Sequence, residues 1–177
     1  PTCPRVFDPK VLFDQHSGRF FIVVLEGSTP NPGGTSKVHI AVSTTNAPGN
    51  TGVAWTKMSG SALTFLPASG FNTWFDYPSI GADNDSLFVT GNLFDAGGTF
   101  RGTKIRVFNK ASLLAGFYAF VDIDVDDTVT PGAFTIQPAH VYGATDSGNF
   151  YLVNRSAAGA YRLWEISGDP GAPVVVG

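Results

Sequence analysis

The sequence repeats one outline three times, and that repeat constrains the fold more than any single residue does. The stretch FDQHSGRFFIVV at 13–24 returns as GATDSGNFYLVN at 143–154. A version without the glycine, GADNDSLFVTGN, stands at 81–92. Each passes from a polar, acidic turn into aromatics and then an apolar run. Glycine after serine supplies the positive φ of a tight hairpin, and aromatic and β-branched residues suit a half-buried pleated strand. A proline precedes each turn: Asp8-Pro9, Tyr77-Pro78 and Gln137-Pro138. Proline at the start of a first strand fixes φ and removes a donor where none is needed.

From these anchors the chain reads as three units of four antiparallel strands. The first strands are KVLFD, SIGAD and AHVYG, the second RFFIVVLEG, LFVTGNLF and NFYLVNR, the third KVHIAVSTT, TKIRVFNK and YRLWEIS. Fourth strands are VAWTKMS at 53–59 and FYAFVDIDV at 117–125, and APVVVG at 172–177 begins the closure of the third unit. The best helical signal, NKASLLAGF at 109–117, is worth one or two turns. Four-stranded units repeated around an axis are β-propeller blades. The prediction is therefore an all-β propeller segment with blades at about 5–66, 72–130 and 133–177. An ordinary β-sandwich with accidental similarity is the alternative. Closed propellers take about 4–8 blades. Three blades imply more of them in a longer chain, or a ring built from several chains.

The totals narrow the partners. Charged residues are 14% of the 177 and hydrophobic residues 43%, with 15 Phe, 21 Gly and 12 Pro. That is a turn-rich composition able to bury a core, and it argues against disorder. Net charge is −3 and no Lys/Arg run occurs, which argues against nucleic acid. No apolar stretch approaches 18 residues, so no membrane-spanning helix is expected. Cys3 is the one cysteine and makes no internal disulfide. The first residues do not read as a signal peptide, so either one was removed or the chain starts inside a longer protein. Asn84 and Asn154 head sequons that matter only in a host that glycosylates.

The run FDPKVLFDQHSGRFFIVV, followed by KVHIAVSTT and AWTKM, resembles the opening blade of secreted bacterial propellers. Five-bladed glycoside hydrolases of the arabinanase and xylosidase type begin similarly, and FDYPSIG resembles their second blade. That resemblance implies three carboxylates lining a central funnel, with Asp8 at the position of the base and Asp76 near that of the second carboxylate. Gln137 stands at the corresponding place in the third blade, and Glu165 on a later strand is the remaining candidate acid. Asp8 equally suits a turn at a strand start. Sialidases are looser relatives: their Asp boxes share residue types with Asp14, Ser17 and Gly18, in another order and without the tryptophan. In overall pattern the chain is most similar to uncharacterised secreted bacterial propeller proteins, which imply an extracellular location and a fold.

Other residues carry chemistry of their own. Asp122, Asp124 and Asp126 alternate, so they share one face of a strand. That face is either solvated or a candidate for calcium, although the glycine and distal Glu of an EF-hand loop are missing. His16, His39 and His140 have no metal-ligand spacing, and His140 is placed to face the funnel. Trp74 and Tyr77 are candidates for stacking on sugar at the funnel mouth, and Gln137 and His140 for hydrogen bonding there; packing between blades is the alternative. The expectation is an extracellular binding or scaffold module recognising carbohydrate or a surface polymer. A propeller glycoside hydrolase and a purely structural ring former are the other two readings.

Overall fold

The computed structural model describes residues 5–27, 34–49, 51–143, 148–157 and 159–177. Cys3 and the third Ser-Gly turn up to Ser147 lie outside the described residues. The chain is all-β, with one short α-helix and a 3-10 turn at Gly52–Ala54 among the described residues. The first sheet holds β1 (Val6–Asp14), β2 (Arg19–Gly27), β3 (Ser36–Ser43) and β4 (Trp55–Ser61). The second holds β5 (Thr64–Leu66), β6 (Phe71–Ala82), β7 (Ser86–Phe94), β8 (Phe100–Asn109) and β9 (Phe120–Asp126). The third holds β10 (Gln137–Pro138), β11 (Phe150–Ala157), β12 (Ala160–Ser167) and β13 (Val174–Val176). Strand order follows chain order in every sheet, and all strand pairs are antiparallel. β5, which the sequence reading leaves at the end of the first unit, hydrogen-bonds to β6. Helix α1 (Lys110–Leu114) is a single turn or so, capped by the Asn109 carboxamide on the Ser112 N–H.

The acid of the repeated turn has a definite local job. Asp14 accepts from the N–H groups of His16 and Ser17, and Asp83 from those of Asp85 and Ser86. A short carboxylate thus folds the chain back on itself before β2 and before β7.

Strand alternation then sorts the side chains. Phe21, Val23 and Leu25 of β2 and Val38, Ile40 and Val42 of β3 point one way and are buried. They pack on Phe75, Ile80, Leu87, Val89 and Phe108 of the second sheet. The opposite face of the second sheet offers Phe88, Ile105, Val107 and Val125 to Phe150, Leu152, Trp164 and Ile166 of the third. Phe88 and Phe150 stack with centroids 3.6 Å apart. The second sheet is therefore buried on both faces, and each fully buried side chain of this size contributes about 1.5–3 kcal/mol.

Polar bonds tie the sheets where apolar packing stops. Ser36 Oγ accepts from the Phe75 N–H, joining sheets one and two. Between sheets two and three, Thr90 Oγ1 donates to the Ile136 carbonyl at 2.6 Å and Thr103 Oγ1 to that of Ala133. Asn92 donates to Thr135 Oγ1 and accepts from the Thr135 N–H.

The expected first strand AHVYG departs from regular pairing. The Ala139 N–H still donates to the Tyr151 carbonyl of β11, and the chain then turns onto β6, where His140 makes a parallel bridge with Ala82. Gly81 permits this, because a β-carbon there would overlap the Ala139 carbonyl.

Candidate functional site

The first strands of the three repeated units, β1, β6 and β10 (β5 precedes β6 in its sheet), lie side by side, with β6 between β1 and β10. A left-handed residue occurs near the start of β1, in the middle of β6 and just before β10. Asp8, Tyr77 and Thr135 have φ of 50°, 56° and 55°, and they are the left-handed non-glycine residues among those described. Such residues cost on the order of 1–3 kcal/mol each, persist where the surroundings hold them, and cluster at functional sites. In β1 the register jumps from Phe7 opposite Leu25 to Lys10 opposite Val23, leaving Asp8 and Pro9 as a bulge. In β6 it jumps from Asp76 opposite Asn92 to Ser79 opposite Thr90, leaving Tyr77 and Pro78. A bulge re-aims the side chains beside it. Thr135 stands two residues before Gln137, just as Asp8 stands two before Lys10 and Tyr77 two before Ser79. Gln137 pairs with Val153. The register therefore makes Thr135 the counterpart of Asp8 and Tyr77, two residues ahead of the proline-based assignment to Gln137.

This arrangement sets Asp8 near Asp76 and Tyr77, with Gln137 of β10 bonded to Ser79 of β6. Asp76 is half-buried, and its carboxylate accepts from the Tyr77 N–H at 2.8 Å. Burial pushes its pKa up, and the negative charge of Asp8 adds to the rise, against the opposing effects of that hydrogen bond and Arg5. Tyr77 is 56% exposed, with the Lys10 ammonium 5.8 Å from its ring centre. Gln137 is exposed, and its Oε1 accepts from Ser79 Oγ at 2.8 Å. Two carboxylates, an open phenol ring and a carboxamide thus come from three neighbouring strands. Such groups can grip pairs of hydroxyls and an apolar sugar face.

The other expected residues go elsewhere. Trp74 donates its indole N–H to the Asp95 carbonyl at 3.2 Å and lies 5.7 Å from the Phe94 ring, so it braces the β6–β7 pair. His140 sits past Pro138, toward the opposite end of the first strands, and its ring stacks beside Tyr142 at 6.1 Å. Glu165 lies on β12 opposite Tyr151 and Val176 and accepts from Asn149 Nδ2 at 2.7 Å. It does not join Asp8 and Asp76.

The three aspartates of β9 are engaged with cations and turns. Lys104, almost fully buried, bonds Asp122 and Asp124 at 2.7 Å each. Arg106 grips Asp122 through Nε and Nη2 at 2.6 and 2.8 Å, and its guanidinium lies 3.9 Å over the Phe120 ring. Asp126 instead caps Thr128 and the Ser69 N–H. No group of three metal-ligating side chains forms among the described residues. This corrects the calcium candidate: the register sets Lys104 opposite Asp124 and Arg106 opposite Asp122, so protein cations neutralise these carboxylates.

Sequence reasoning missed the opposite end. A cleft of about 460 Å³ opens there, lined by His16 and Ser17, Asn84 and Asp85, Lys110, and Asp169. Beside it the buried Lys110 ammonium meets Asp14 at 2.8 Å and also donates to the Asp83 carbonyl. Lys110 closes the third strand of one unit while Asp14 opens the turn of another, so local pattern could not pair them.

Comparison with protein-family models, curated proteins and solved structures gives no match. Among the described residues no helix is long and apolar enough to cross a membrane.

Proposed function

We propose that the three sheets are successive blades of an extracellular β-propeller segment, and that it binds carbohydrate or another hydroxyl-rich surface polymer at the end marked by Asp8 and Asp76. The observation that carries this reading is the nearness of Asp8 to Asp76 across β1 and β6, with the open Tyr77 ring beside Lys10 and Gln137 bonded to Ser79. Stacked antiparallel sheets with their first strands side by side support the propeller geometry. Calorimetric titration with a panel of polysaccharides tests the reading. Tyr77→Ala and Asp8→Ala should each weaken binding about tenfold, the effect of losing roughly 1.4 kcal/mol of contact, with the circular dichroism spectrum unchanged. Unaltered affinity in both variants would sink it.

A second reading, a propeller glycoside hydrolase, is favoured by one observation. Burial, with the charge of Asp8 added, raises the pKa of Asp76, and a carboxyl with a raised pKa is one that acid–base hydrolysis can use. Asp8 would act as base and Asp76 as the second carboxylate, with the proton donor supplied from outside this group. Release of reducing sugar from a polysaccharide, abolished in Asp8→Ala without loss of fold, is the expected sign. Binding without turnover would leave the first reading.

A further inference from the structure

We infer that the outward faces of the first and third sheets are two halves of one interface, and that a second copy of this chain closes on the first through both. The outward face of the third sheet carries Tyr151, Val153, Tyr161, Leu163, Val174 and Val176, all exposed, with Leu163 at 62%. The outward face of the first sheet carries Val11, 66% exposed, and Phe13, with Phe20, Ile22 and Val24 half-covered beside them. Phe13 and Phe20 already pair at 4.8 Å. Contiguous apolar faces of this kind mark interaction sites on a protein surface.

The occupant follows from how the molecule covers its other faces. The first sheet presents one face to the second, and the second presents its far face to the third. Repeating that step sets the outward face of the third sheet against a first-sheet outward face, and a second copy of this chain offers one. Charge agrees with this pairing. Glu165 lies between Tyr151 and Val176 in its row, and Lys57 ends the row of Val11, Ile22 and Ala41. Such a head-to-tail contact either closes or grows into a filament. Two copies make six sheets, within the range of closed propellers. Closure would also complete the arc of first strands around Asp8, Asp76 and Tyr77. The inference rests on the propeller geometry proposed above and is independent of the sugar.

Light scattering on a sizing column tests it. The expected mass is twice the 18.7 kDa of one chain. Val11→Glu and Leu163→Glu damage different faces and should each run as folded monomers. Mixed together they should regain a dimer, because one intact interface remains. A wild-type monomer at every concentration would overturn the inference, and so would a dimer that survives Val11→Glu. A mass that climbs with concentration without stopping would overturn closure. Sugar titration of the same samples separates the two proposals: a monomer that binds sugar refutes only the dimer, and a dimer that binds none refutes only the ligand.

Discussion

Gly81 lies against the carbonyl of Ala139 with no room for a side chain between them. That contact holds the chain leaving β10 against β6, where the Val141 N–H donates to the Ala82 carbonyl at 3.0 Å. Gly81→Ala should therefore cost about 2–3 kcal/mol, as overpacking of a filled core does. Gly143→Ala, where a β-carbon meets nothing within 4 Å, should stay within about 0.5 kcal/mol. Urea midpoints of the two variants check the contrast.

The buried Asp14–Lys110 pair should be strongly asymmetric to mutation. Burial works against the charged Asp14, but the bonds from Lys110 and Ser17 outweigh it and leave its pKa below the ordinary value. Lys110→Met strands that carboxylate and should cost about 3–5 kcal/mol. Adding Asp14→Asn should recover much of the loss. A depressed carboxylate stabilises the fold above its unfolded pKa and loses that contribution as pH falls toward the folded value. Wild-type stability should thus decline below about pH 3.8, the unperturbed value, and Asp14→Asn should flatten part of that decline. Thermal melts across acid pH measure both.

Asp76 carries the opposite sign. Its raised pKa means the folded protein holds a proton that the unfolded chain has released, so its contribution weakens as pH rises above the ordinary carboxylate value. Asp76→Asn removes the repulsion from Asp8 and should stabilise the fold at neutral pH by about 0.5 kcal/mol, the scale of a partly exposed charge pair. At pH 3 the gain should vanish. A stabilised variant that no longer binds sugar would mark Asp76 as a residue kept at some expense of stability.

Tyr118 should ionise well above the ordinary tyrosine value. Burial raises its pKa to about 12, although the adjacent Arg106 works the other way. Its hydroxyl donates to the Val38 carbonyl at 2.9 Å while Arg106 donates to it at 3.3 Å. Ultraviolet titration of phenolate should show a step near pH 12 that Tyr118→Phe removes. The folded state keeps this proton when the unfolded chain loses it, so stability should fall between pH 10 and about 12.

The strands were largely legible in the sequence because alternation reports directly on burial. RFFIVVLEG and KVHIAVSTT became β2 and β3 with their alternate residues inward, and VAWTKMS and FYAFVDIDV yielded β4 and β9. Asp8 and Asp76 lie near enough for the charge of one to act on the other, and Gln137 bonds Ser79 of β6. Proline was a faithful marker twice and misleading once. What recurs is a left-handed residue two positions ahead of resumed pairing, and in the third sheet Thr135 takes that place while Pro138 falls inside β10. The β9 aspartates were read correctly as sharing a face. Their partners were hidden because Lys104 and Arg106 meet them only through the β8–β9 register. Trp74 looked free because a sequence does not show that its indole N–H finds the Asp95 carbonyl.

Among the described residues every ladder joins strands that are consecutive in the chain. A sheet can therefore form as soon as its own segment has left the ribosome, without waiting for residues still to be made. The same arrangement suits growth by duplication. Copying one contiguous segment adds a whole sheet and leaves the existing ladders intact, provided the new sheet presents an apolar face to its neighbour. The resemblance between residues 13–24 and 143–154 is what such a history would leave behind.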